Sequence, residues 1–67
     1  MGGYRQSAKI LSEGVEHFPE SEQLNMCLGI SYMNLREYKK ALPYFLKFKD
    51  SKEANYYIAT CNEALDT

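Results

Sequence analysis

The chain has no tryptophan, one histidine, two cysteines, two prolines and four glycines among 67 residues. So little proline and glycine excludes a collagen-like or low-complexity segment. His17, Cys27 and Cys61 are too few and too scattered for a structural zinc site, which takes four ligands. No metal and no cofactor is expected. A Cys–His pair is formally available for nucleophilic chemistry, but no third residue is placed to orient it, so the chain is not expected to be an enzyme. Both cysteines fall in helical contexts, which favours two reduced, partly buried thiols over a disulfide. That pattern suits the cytoplasm, the expected location. No apolar run approaches the roughly 20 residues that span a bilayer, and no signal peptide is visible. Gly2 is present, but Gln6 stands where a myristoylation motif needs Ser or Thr. Charge of one sign is also missing. With 8 basic and 9 acidic residues the net charge is −1, so no field draws in nucleic acid or an anionic membrane.

Hydrophobic residues make up 45% of the chain and aromatic residues 13%, with six tyrosines. That composition suits compact helices rather than disorder. The length allows one small domain, whose core rarely supplies more than roughly 3–5 kcal/mol without help. Met1-Gly2-Gly3 reads as a remnant of expression, residues 4–67 as the domain, and the whole as a piece of a longer protein.

Apolar spacing predicts four helices, over about 4–17, 21–33, 37–48 and 51–65. In the first, Tyr4, Ala8, Leu11, Val15 and Phe18 share a face, and Phe18-Pro19 ends it because a residue before proline avoids helical backbone. Ser21 is the expected N-cap of the second, with Glu22 suited to its dipole. Leu24, Leu28, Ser31, Tyr32 and Leu35 form its stripe. In the third, Tyr38, Ala41, Leu42, Phe45 and Phe48 do the same, and Pro43 should cause a mild bend. The fourth opens on Asp50 or Ser51 as cap and lines up Ala54, Tyr57, Ile58, Cys61 and Leu65. Gly29 within a strong helical pattern predicts a close approach. Ala41 is the small residue expected to meet it, with Tyr32, Tyr38 and Phe45 wedged around the crossing.

Leu28-Gly29-x-x-Tyr32, followed by Tyr38-x-x-Ala41-x-x-x-Phe45, resembles the tetratricopeptide repeat. The signature's leading Trp is replaced by Asn25 and its usual turn Gly by Arg36. Tyr4, Ser7 and Leu11 each precede Tyr38, Ala41 and Phe45 by 34 residues, the repeat length of that family. Ile58-Ala59 follows Leu28-Gly29 at a spacing of 30. The resemblance therefore implies one full repeat between two half-repeats: an all-α, antiparallel helix-turn-helix array, a four-helix fragment of a solenoid.

The same resemblance implies a function. In that family the first helix of each repeat lines a concave groove that binds peptides. The groove positions map onto Gln23, Met26, Ile30 and Met33, and on the last helix onto Glu53, Tyr56, Thr60 and Glu63. Met26, Ile30, Met33 and Tyr56 would make an apolar strip outside the core, suited to an adaptable contact. Gln23, Met26, Ile30, Met33, Tyr56 and Thr60 are the expected partner-binding residues. Family members that clamp chaperone tails carry Lys and Asn on these faces. Here Met26, Ile30, Glu53 and Tyr57 stand there, so acidic chaperone tails are not expected partners. The alternatives are a self-assembly element, in which the strip or the open ends of the array pair with another copy, and an accessory region of a larger enzyme. Repeats of this kind occur on bacterial glycosyltransferases, among others.

Bland readings cover the remaining features. Glu13, Glu16, Glu20 and Glu22 read as a solvated face and helix-start charges. Lys39, Lys40, Lys47, Lys49 and Lys52 are interleaved with Glu37, Asp50 and Glu53, too weak a basic patch for a DNA reader. Tyr32, Tyr38 and Tyr57 fall on core stripes rather than on a base-stacking platform. The expected partner is a protein or peptide, not nucleic acid and not a membrane, with a homo-oligomer open.

Overall fold

The computed structural model describes residues 3–66, in four α-helices and, among those residues, no strand. Helix α1 spans Tyr4–His17, α2 Glu22–Asn34, α3 Tyr38–Leu46 and α4 Lys52–Asp66. The all-α, four-helix architecture expected from the spacing is the one observed. Met1 and Gly2 of the expected expression remnant, and Thr67, lie outside the described residues. Gly3 occupies the N-cap position of α1 at φ 109°, a left-handed conformation that costs glycine nothing, and its carbonyl accepts from Ser7 N–H at 2.7 Å.

Local chemistry sets the helix ends. Ser21 caps α2, its Oγ accepting from Leu24 N–H at 3.3 Å. Ser51, not Asp50, caps α4: its Oγ accepts from Ala54 N–H at 3.4 Å. The end of α2 is a Schellman turn, with Arg36 N–H donating to the Met33 carbonyl and Glu37 N–H to the Tyr32 carbonyl, each at 2.9 Å. Such a turn needs one left-handed residue. Arg36 supplies it at φ 63°, where glycine is normally favoured. Pro43 is exposed and α3 runs on through it. The helix stops at Leu46, two residues short of the pattern's 48, because Phe48 N–H bonds the Phe45 carbonyl (3.0 Å) in a tighter turn.

Helix α2 sits at the centre, packing against α1 and α3, while α4 packs against α3 and meets α2 more lightly. The result is a slab, 31 × 30 × 15 Å. Its core joins Met26, Ala41, Phe45, Ala54 and Cys61, flanked by Tyr32, Tyr38, Leu42, Tyr57 and Ile58. Leu28, from the middle of α2, is also fully buried. At Gly29 the nearest neighbour is the Phe45 ring, one of the rings expected around the crossing. A Cβ placed there would lie 2.5 Å from Phe45 Cζ, closer than carbon atoms can approach. The missing side chain makes room for an aromatic ring. Phe45 also stacks on Tyr57 at 5.1 Å between centroids, so one ring ties α2, α3 and α4 together.

Two further links close the slab. Asn25, on α2, is 1% exposed. Its Nδ2 donates to the Pro19 carbonyl (3.1 Å) and the Ser21 carbonyl (2.7 Å), while Oδ1 is buried without a partner. Lys47 Nζ, from the end of α3, donates to the same Pro19 carbonyl at 2.6 Å. Arg5 on α1 pairs with Glu37 at 3.3 Å, and Lys40 joins that carboxylate at 3.4 Å. On α1 the apolar stripe is only partly used. Ala8 is buried and Leu11 and Val15 half-buried, but Tyr4 and Phe18 are 45% and 65% exposed.

Candidate functional site

An apolar concavity lies between α2 and α4, the two helices that alternate with α1 and α3 along the slab. Its volume is about 400 Å³, and Glu22, Gln23, Met26, Cys27, Ile30, Glu53 and Tyr57 line it. The cleft follows from helical geometry. Residues 22, 23, 26, 27 and 30 are spaced three and four apart on α2, so they share one face, and residues 53 and 57 are four apart on α4. Side chains three to four positions apart stand within 5–6 Å at their Cβ atoms, which leaves each helix a continuous wall.

Met26, Ile30 and Tyr57 give the cleft its apolar character. Met26 is 6% exposed and belongs to the core, not to a strip outside it. Its position on α2 faces both ways: toward Ala54 and Phe45 in the core and along the cleft. Ile30 is half-buried and packs against the core as well. Tyr57 is held by Phe45 beneath and by Tyr56, whose ring meets it edge-on at 5.3 Å. Tyr56 itself is 68% exposed.

Of the residues expected to bind a partner, the structure brings Gln23, Met26 and Ile30 together in the cleft, with Glu53 opposite. Met33, Tyr56 and Thr60 lie outside its lining. Met33 is half-buried against the core, and the Thr60 hydroxyl donates back to the Tyr56 carbonyl at 2.9 Å within α4. Glu63 lines a different hollow at the C-terminal end of α4. Glu22, Cys27 and Tyr57 were not assigned to the site from the sequence. The i, i+4 spacing of Glu22 to Met26 and of Gln23 to Cys27 was the available signal for a face one residue wider than the mapped positions.

The cysteines differ more than their contexts suggest. Cys61 is fully rather than partly buried, and burial pushes its pKa up from the ordinary 9.0. Cys27 is exposed rather than partly buried, and it opens onto the cleft. Among the described residues no group of three His, Cys, Asp or Glu side chains is placed to hold a metal ion, and no helix is long and apolar enough to cross a membrane. The rings of Tyr32 on α2 and Tyr44 on α3 stack with centroids 5.8 Å apart. There burial first, and then the neighbouring Tyr32, raise the Tyr44 pKa above 10.0. No protein-family model matches the chain, nor does any curated protein or solved structure.

Proposed function

We propose that the chain is a non-catalytic module that binds a protein or peptide, built on tetratricopeptide-like helix pairs. The observation that carries this reading is the apolar cleft between α2 and α4. Its lining combines an aliphatic and aromatic floor with a few polar groups, as concave recognition sites do. The Leu28-Gly29-x-x-Tyr32 and Tyr38-x-x-Ala41-x-x-x-Phe45 spacings, with Phe45 seated on Gly29, support the repeat kinship. An extended or helical segment would lie along the cleft, its apolar side chains against Met26, Ile30 and Tyr57.

The exposed Cys27 and the buried Cys61 provide a test. A bulky maleimide will react at Cys27 and leave the folded protein's Cys61 untouched. Peptides selected from a random display library on the unmodified protein should lose binding once Cys27 carries the adduct, with the helical circular dichroism unchanged. Selected peptides indifferent to the adduct would overturn the cleft as the binding site.

A second reading, assembly with another copy, draws on α1, where Ile10 is 60% exposed and Phe18, just past the helix end, 65%. Sedimentation over a concentration series tests it: a mass that rises with concentration, and ceases to rise in Ile10→Glu, supports pairing. A fixed monomer mass rejects it.

A further inference from the structure

The walls of the cleft carry a charge signature that narrows its occupant. Among the described residues, Glu22 and Glu53 are the charged side chains in the lining, one from each helix, and no lysine or arginine joins them. Both are exposed, and neither takes part in an ion pair among the described residues. The contrast with Glu37 is direct. That carboxylate, at the start of α3, is held between Arg5 and Lys40 at 3.3 and 3.4 Å, so its charge is answered within the chain. Glu22 and Glu53 lie in the first turns of α2 and α4, where the helix dipoles compensate a fraction of their charge. The rest is directed to solvent beside the apolar floor.

The aromatic wall favours the same kind of visitor. Tyr57 lines the cleft and Tyr56 stands beside it with most of its surface open. Ring faces attract cations, arginine above all. Aliphatic stems of arginine and lysine also pack on apolar surface while the charged head reaches a polar rim. Met26 and Ile30 offer the apolar surface, and Glu22 and Glu53 the rim.

We infer that the cleft takes a basic, amphipathic peptide segment, one in which arginine or lysine alternates with aliphatic residues. The inference rests on the peptide-binding reading above and adds the chemistry of the ligand to it. Two exposed carboxylates, each contributing a modest solvent-screened attraction, should make a basic segment bind about fivefold to tenfold more tightly than a neutral one.

The test uses three short peptides, acetylated and amidated, that share the same leucines and differ only in carrying arginine, glutamine or glutamate between them. Binding to the whole chain is followed by amide chemical shifts in an NMR titration. The expected result is strongest binding by the arginine peptide, weakest by the glutamate peptide, and shift changes centred on Gln23, Ile30 and Tyr57. In Glu22→Gln/Glu53→Gln the preference for arginine over glutamine should disappear. Raising the salt should reduce the preference in the native chain and leave the double variant unmoved. If all three peptides bind in the cleft equally well, the charge inference is overturned and the peptide-binding reading survives. If the arginine preference persists in the double variant, the carboxylates are not its source and the inference fails again. If no peptide shifts the cleft residues, both readings fall.

Discussion

Helices α1 and α3 carry matched positions 34 residues apart, Tyr4 with Tyr38, Ser7 with Ala41 and Leu11 with Phe45, yet they end in different environments. On α3, Ala41 and Phe45 are fully buried. On α1, Leu11 is half-buried and Ser7 exposed. The difference lies in the neighbours. Helix α3 packs between α2 and α4, whereas α1 packs against α2. A stripe at helical spacing supplies the capacity for burial, and the number of flanking helices decides how much is realised. Substitutions at matched positions should therefore separate the two helices.

The largest gap is expected at Leu11 and Phe45. Phe45→Ala removes a fully buried ring that touches three helices and should cost about 3–5 kcal/mol. That matches the whole stability of a domain this size, so the variant should lose its helical signal at room temperature. Leu11→Ala should cost about 1–2 kcal/mol and stay folded, as read by urea titration. Equal losses at the two sites would erase the comparison.

Glycines make a second pair. Gly29→Ala drives a methyl into the Phe45 ring and should destabilise by about 1–3 kcal/mol, with Phe45→Leu in the same chain restoring part of the loss. Gly14→Ala, on α1, places its methyl 3.5 Å from Leu24 Cδ1, an ordinary contact. The better helix former should raise stability by about 0.5–1 kcal/mol. Thermal midpoints shifting in opposite directions would confirm that only α3 seats its partner without spare room.

A smaller gain is expected in the turn between α2 and α3. Arg36→Gly relieves left-handed strain of about 1–2 kcal/mol and gives back about 0.5–1 kcal/mol in chain entropy, for a net gain of ~0.5 kcal/mol by denaturant titration.

The smallest effect is the alkaline limb. Cys61 and Tyr44, both on the α3–α4 side, have folded pKa values raised above the ordinary 9.0 and 10.0, chiefly by burial. The unfolded chain then releases these protons first, so stability is complete below about pH 9 and declines as pH rises through the raised values. Tyr44→Phe should flatten the upper part of that decline; an unchanged slope would show that the hydroxyl is not its source.

Much of the architecture was legible because helices announce themselves through spacing and ends. Ser21 before Glu22, Pro19 after Phe18 and the stripes on α2 and α3 each rest on local backbone chemistry, which a linear chain displays directly. What fills a gap is not local. Gly29 signalled that something comes close, but whether backbone or ring comes close depends on the tilt of α3. Asn25 looked like a lapse in the signature. Its burial is explained by two turn carbonyls, of Pro19 and Ser21, whose directions no periodicity encodes. The cleft was half legible for a similar reason. Gln23, Met26 and Ile30 fall on one face at helical spacing, but the rotation of α4 brings Glu53 and Tyr57 opposite them and leaves Tyr56 and Thr60 aside. Met26 shows the limit most clearly, since a helix at the centre of a slab has little surface that belongs to only one side.

The run of rings from Phe45 through Tyr57 to Tyr56 has an optical consequence. With no indole in the chain, tyrosine emission has no internal acceptor to drain it. Two of the six phenols sit in or beside the cleft, and one of them is coupled by stacking to the most deeply buried ring. Occupancy of the cleft should therefore quench or shift the native ultraviolet emission, giving a label-free readout of ligand on and off.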